Sequence, residues 1–336
     1  GFLGTGTGGG ARGLGDGHRL RFPKWGWPWE TFQHLSSFIF SYLMKIVSLP
    51  PRLVLCAHTW SLVGHPAPRR EWSLDRKLAA IKAAGFDGVA AFINADIAAG
   101  ARRHGLKLLS GFDCSDLPTV TRRLEEQRKF GAHFINIQLL NHDTPPARAA
   151  AMAVRLIRLS RRLGLGVHIE THRDTSTETP EKFTEIARRY RRTTDETMPV
   201  TWDHSHFAVS KHVLPKDYAA RLLAWPREIQ RSQLFHLRPF NSQHCQVPVT
   251  NGRGRLTPEF ADYLAFVEEL FVLWLRGPQP GGELWACPEM GMTHGYNISI
   301  HPPVWPDVIR CRRELLGAWR RALRRADGTT WRRHSR

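Results

Sequence analysis

Eight times between residues 52 and 325, a short run of apolar and β-forming residues is followed by a segment with helical spacing. The β-like runs fall at 53–57, 86–92, 106–112, 134–139, 166–170, 199–203, 233–237 and 283–288. Helical segments follow them at 73–84, to about 103, and at 117–130, 146–163, 180–190, 216–223, 257–275 and 306–325. The first shows the logic: Ser73 caps it, Leu74, Leu78 and Ile81 give one apolar face, and Gly85 closes it. Strands joined by helices must run parallel, because a parallel pair needs a long crossover. Eight β-then-α units in about 275 residues match the size and rhythm of a closed (β/α)8 barrel. An open doubly wound sheet would show fewer units or a Gly-rich turn after its first strand, and neither is present. The predicted fold class is α/β, a (β/α)8 TIM barrel with an irregular N-terminal extension.

The beginning of the chain has a different composition. Nine of the first seventeen residues are glycine, and a Pro/Trp cluster follows at 22–29. The string 4–9, Gly-Thr-Gly-Thr-Gly-Gly, matches the spacing of a dinucleotide-binding loop. That loop needs a strand feeding it and a helix N-terminus following it, and here more glycine follows instead. The expected organisation is an extension at 1–43 outside the barrel, a catalytic barrel at 44–325 and a basic tail at 326–336.

The formal charge of +18 is partly localised, with ten arginines against Glu314 and Asp327 in residues 308–336. Arginine outnumbers lysine 39 to 9, which a compositional bias alone produces. A basic tail contacts phosphates or simply solvates a last helix, so nucleic acid is not an expected partner. Apolar stretches stop short of a bilayer span: 37–43 runs into Lys45, and 265–275 contains Glu268 and Glu269. The five cysteines are scattered and form no CxxC pair, which fits a reducing, cytoplasmic setting.

In such a barrel the reactive groups sit at the C-terminal ends of the strands. Those ends carry His168, Glu170 and His172; Asp203, His204 and His206; His236 and Arg238; and Trp285, Cys287 and Glu289. Alternation turns residues two apart to the same side. Four consecutive strands therefore deliver Glu170, Asp203, His236 and Glu289 to one mouth. Each alone reads as a helix cap, an ion pair or a satisfied core residue. Together, three carboxylates in one cavity would repel without a cation. Mostly oxygen donors suit one divalent ion, with Mn²⁺ the first expectation and Mg²⁺, Co²⁺ or Zn²⁺ as alternatives.

Glu170, Asp203 with His206 as Asp-x-x-His, His236 and a final Glu289 resemble the xylose isomerase-like TIM-barrel superfamily, sugar phosphate isomerase/epimerase type, over residues 52–325. The resemblance implies that Glu170, Asp203, His236 and Glu289 ligate the metal. Glu170 and Glu289 would serve as the acid/base pair, with His206 holding a substrate oxygen. Arg238 would neutralise the developing oxyanion, although the epimerases usually place this arginine further past the histidine. His172, Gln246 and Gln138 would contact substrate, and His58 and Trp60 would wall the pocket. The implied reaction is metal-dependent isomerisation or epimerisation of a sugar, keto-sugar or related polyol through an enediolate formed by carboxylate acid/base chemistry. Two alternatives share the scaffold: a lyase or dehydratase acting on a keto-sugar or 3-keto-glycoside, and an endonuclease IV-like nuclease. The nuclease needs histidines after the second and third strands, where this chain has Asn94, Asp113 and Cys114. The expected partner is a small carbohydrate, with no membrane; self-association of barrels is compatible with the resemblance.

Overall fold

The computed structural model describes residues 50–331, with side chains to residue 326. The expected extension at 1–43 and the end of the basic tail lie outside the described residues. Eight parallel strands run β1 Arg52–His58, β2 Gly88–Ala91, β3 Lys107–Cys114, β4 Phe134–Leu139, β5 Gly166–Glu170, β6 Val200–Asp203, β7 Leu234–His236 and β8 Glu283–Cys287. They close in sequence order, with β8 pairing back onto β1. Ten helices surround them: α1 Leu74–Ala83, α2 Ala95–His104, α3 Leu117–Phe130, α4 Pro146–Arg162, α5 Pro180–Thr194, α6 His204–Ser210, α7 Tyr218–Leu222, α8 Pro226–Arg231, α9 Pro258–Leu275 and α10 Val304–Trp331. None of the described helices is long and apolar enough to cross a membrane.

Local chemistry sets the helix starts. The side chains of Ser73, Asn94, Asp116, Thr179 and Thr257 each accept a hydrogen bond from a backbone N–H in the first turn, which satisfies an otherwise orphaned donor. The chain leaves α2 and α3 through Gly105 and Gly131 in the left-handed conformation, the usual C-terminal exit.

Six of the eight strands, all but β5 and β6, split their apolar side chains between two cores. Leu55, Val89, Ile135, Ile137, Ile169 and Phe235 join the large cluster shared with the helices. The alternate residues Val54, Cys56, Ala90, Leu109, Phe134, Leu234, Trp285 and Cys287 form a second cluster inside the barrel. Gly166 belongs to this inner face because Phe134 fills its side-chain space: a Cβ there would lie 2.5 Å from the ring. At the lower rim Glu283 accepts from Arg52 at 2.7 Å and Lys107 at 3.1 Å, and the Trp285 indole N–H donates to it at 3.0 Å.

Two expectations differ from the structure. Between β6 and β7 three short helices replace the single segment at 216–223, and residues 204–206 open α6 rather than extending the strand. The cause is Asp203, whose carboxylate accepts from the Ser205 backbone N–H at 2.9 Å and so caps a helix. The closing helix also runs to Trp331, beyond its expected end at 325. A single interior glycine costs about 1 kcal/mol, too little to stop a helix anchored by Trp319 against Phe271 and Trp274.

Candidate metal and active site

β5 and β6 bring the first two carboxylates together through a threonine. The Thr171 hydroxyl donates to the Asp203 carbonyl and accepts from the Asp203 N–H, both at 3.0 Å. On the other side Asp203 is in direct register with His236 of β7. Glu289 follows β8 by two residues and so shares the inward side of Cys287. One ligand atom from each of Glu170, Asp203, His236 and Glu289 lies within 4.8 Å of the others, and all four residues are buried.

The hydrogen bonds orient each group. His236 Nδ1 lies 2.7 Å from Glu170 Oε1 and 3.0 Å from Glu289 Oε2. The second Glu170 oxygen accepts from Asn136 Nδ2 at 2.6 Å. Arg238 donates through Nε to Asp203 at 3.3 Å and through Nη2 to Glu289. Its guanidinium carbon lies 4.1 Å from the Tyr296 ring centroid and 5.6 Å from that of Trp60, both favourable cation–π positions.

Burial opposes ionisation of every group here, and the neighbouring charges outweigh it. Burial alone would raise the Glu170 carboxyl, but His236 and His172 hold it below the usual range. Asp203 is held well below by His206 and Arg238, and Glu289 is lowered by His236 and Arg238, both against the same burial cost. His236 is raised well above its usual value, because Glu289 and Glu170 overcome its desolvation. Three carboxylates thus face two cations, leaving one negative charge in a buried cluster. A divalent ion that takes the place of the His236 proton brings that sum to zero. The donor set, its spacing and its charge therefore fit one hard or borderline divalent cation.

Above the cluster opens a pocket of about 720 Å³. His58, Arg238 and Glu289 form its floor, Trp60 and Tyr296 one wall, and Gln138, His172 and Arg173 line other parts of it. The His58 Nδ1 accepts from the Trp60 N–H at 3.2 Å, so the neutral ring carries its proton on Nε2. Burial pushes His58 down to about 4, which keeps it neutral. A side chamber of about 180 Å³ adjoins this floor, between His58, Gly111, Asn136 and Gln138.

Two predicted contacts fall elsewhere. His206 sits behind Asp203, with Nε2 at 3.3 Å from the carboxylate and Nδ1 at 3.6 Å from the Cys245 sulfur. Helical spacing in α6 turns it back by one turn, and the His172 ring covers it at 4.2 Å. Gln246 does not line the pocket. Its amide N–H₂ donates to the Gly291 carbonyl at 3.1 Å and its oxygen accepts from the Gly291 N–H at 2.7 Å. Gln246 therefore clamps the loop after β8, where Gly291 is required because a Cβ would lie 2.6 Å from the Trp60 ring.

Asn136 and Tyr296 were not singled out from the sequence. Asn136 was accessible to the alternation argument, because it shares the inward face of β4 with Gln138. Tyr296 lies in an irregular loop whose path no periodicity reveals.

No protein-family model matches this sequence, and no curated protein matches it. Solved structures do. D-allulose 3-epimerase from Methylomonas sp. aligns at 14% identity over 82% of this chain and 100% of its own, with a TM-score of 0.50. A putative xylose isomerase from Rhodospirillum rubrum aligns at 13% identity over 79% of this chain and 99% of its own, with a TM-score of 0.52. At such identities the likeness is one of architecture: the described residues form a closed (β/α)8 barrel of the same kind as these structures.

Proposed function

We infer that this protein is a divalent-metal-dependent isomerase or epimerase acting on a sugar, keto-sugar or related polyol. The observation that carries this reading is the meeting of Glu170, Asp203, His236 and Glu289 within 4.8 Å, beneath a pocket whose lining Glu289 joins. These four residues would hold the ion, with Mn²⁺ the first choice and Mg²⁺, Co²⁺ or Zn²⁺ as alternatives. When bound, the metal supplies Lewis-acid polarisation of the substrate's oxygens.

The chain's own residues do the rest. Glu170 and Glu289 come from opposite flanks of His236 and are ionised, so either accepts a proton from the carbon next to a carbonyl. The other then returns it, to the opposite face for epimerisation or to the neighbouring carbon for isomerisation. Asn136 ties down one Glu170 oxygen and leaves the other directed at the cluster. Arg238 presents a fixed positive charge to the oxyanion that proton removal creates. Trp60 and Tyr296 offer aromatic faces to the C–H side of a sugar, while His58 Nε2–H and Gln138 suit its hydroxyls.

The test is solvent deuterium incorporation across keto-sugars, inososes and 3-keto-glycosides with Mn²⁺ present. Exchange at a carbon next to the carbonyl, lost on metal removal, supports the reading. Absence of exchange in all three classes with every one of the four metals overturns it.

A further inference from the structure

The opposite end of the barrel carries a second cavity, of about 570 Å³, within the size range of small-molecule sites. It opens where β5 and β6 begin, so it is separated from the carboxylate cluster by the length of the strands. Three different elements send arginines to it: Arg161 from α4, Arg191 from α5, and Arg227 and Arg231 from α8. Glu196 takes up Arg161, with Nη1 to Oε1 at 3.0 Å. Arg191, Arg227 and Arg231 have no carboxylate partner among the described residues. The remaining acid of the lining is Asp195, so the cavity keeps an excess of two positive charges.

A last-turn cation is favourable on any helix, and that accounts for Arg161, Arg191 and Arg231. It does not account for Arg227, which opens α8 beside Pro226. The inner wall is formed by the first residues of β5 and the chain before β6. His168 lines the cavity and is 4% exposed. Ile157, Leu165 and Met198 add an apolar surface.

We propose that this lower cavity, lined by Arg191, Arg227, Arg231 and His168, is a binding site for a small organic phosphate. Planar guanidinium groups match phosphate oxygens in pairs, and three of them exceed what one carboxylate uses. The apolar wall takes the organic body of the ligand. The site is separate from the proposed reaction and independent of it.

Isothermal titration calorimetry of the full chain with adenosine 5′-monophosphate and with inorganic phosphate tests this. One molecule of the nucleotide is expected to bind per chain, at least tenfold more tightly than inorganic phosphate. The exposed double variant Arg227→Gln/Arg231→Gln should weaken binding at least tenfold while melting as wild type does. Glu170→Gln should bind as wild type does, which places the ligand away from the upper pocket. Equal affinity for nucleotide and inorganic phosphate would reduce the cavity to surface charge and overturn the proposal. So would an unchanged affinity in the double variant, a loss in Glu170→Gln, or competition by duplex DNA at equal charge concentration.

Discussion

One nitrogen of His236 serves two carboxylates: Nδ1 stands 2.7 Å from Glu170 and 3.0 Å from Glu289. In this arrangement the imidazolium proton does the work expected of a cation, holding like charges together in a buried space. Arg238 does the same for Asp203 and Glu289 from the other side. The proposed metal site is thus already organised around positive charge, and the reading rests on a cluster that folds with its ligands facing one another.

Glu170→Gln keeps an oxygen for ligation and removes the basic site. We expect an intact fold and weaker metal binding. Turnover should fall by about 10²- to 10⁴-fold, the usual scale for losing a positioned general base. Steady-state kinetics together with metal analysis check this. Turnover near that of the wild type would take Glu170 out of the acid/base role.

Metal should stabilise the folded chain. Adding Mn²⁺, Co²⁺ or Zn²⁺ to stripped protein should raise its melting temperature, by about 2.7 kcal/mol of stability at a hundredfold excess over Kd. Asp203→Ala should abolish most of that rise. A melting temperature indifferent to all three ions would show that the four residues hold no metal.

The loop clamp predicts a separation of binding from metal loading. Gly291→Val puts side-chain atoms where the Trp60 ring already lies, a Cβ alone standing 2.6 Å from it. Overpacking of this kind costs about 1–3 kcal/mol. Trp60 should move, KM for the substrate should rise several-fold, and the metal-induced rise in melting temperature should persist. An unchanged KM would show that Trp60 does not wall the bound substrate.

Acid should weaken the lower rim through Glu283. Burial opposes its ionisation, but hydrogen bonds from Arg52, Lys107 and Trp285 pull it from 4.5 down to about 2. A depressed folded-state value means that the stabilisation is complete above the unfolded value, near pH 4.5, and is lost as pH falls toward 2. Because the group is partly exposed, solvent screening leaves about 1 kcal/mol of it at neutral pH. Denaturant unfolding of Glu283→Gln against wild type should show that gap at pH 7 and close it near pH 2.5. A gap that widened in acid would contradict the assignment.

Much of the candidate site was legible in the linear order. Glu170, Asp203, His236 and Glu289 stand at or just beyond the ends of consecutive strands, and strand alternation turns them to one side. His206 lies behind Asp203 because the two-residue period stops there: capping by that carboxylate starts a helix, and a helix returns its fourth residue behind its first. Gln246 was misread for a related reason. An amide suits a sugar hydroxyl and a backbone peptide equally well, and only the approach of Gly291 decided between them.

What the sequence alone determined, then, was the periodic part: eight strand–helix units, their parallel order, and the residues that alternation carries inward. These follow from local physics, in which backbone geometry repeats every two or 3.6 residues. The tertiary structure alone decided contacts between residues far apart on the chain, such as Asn136 with Glu170, Tyr296 with Arg238, and the arginines of three separate helices at one lower cavity. Closing the barrel and routing its irregular loops bring these together, and no local period encodes either event.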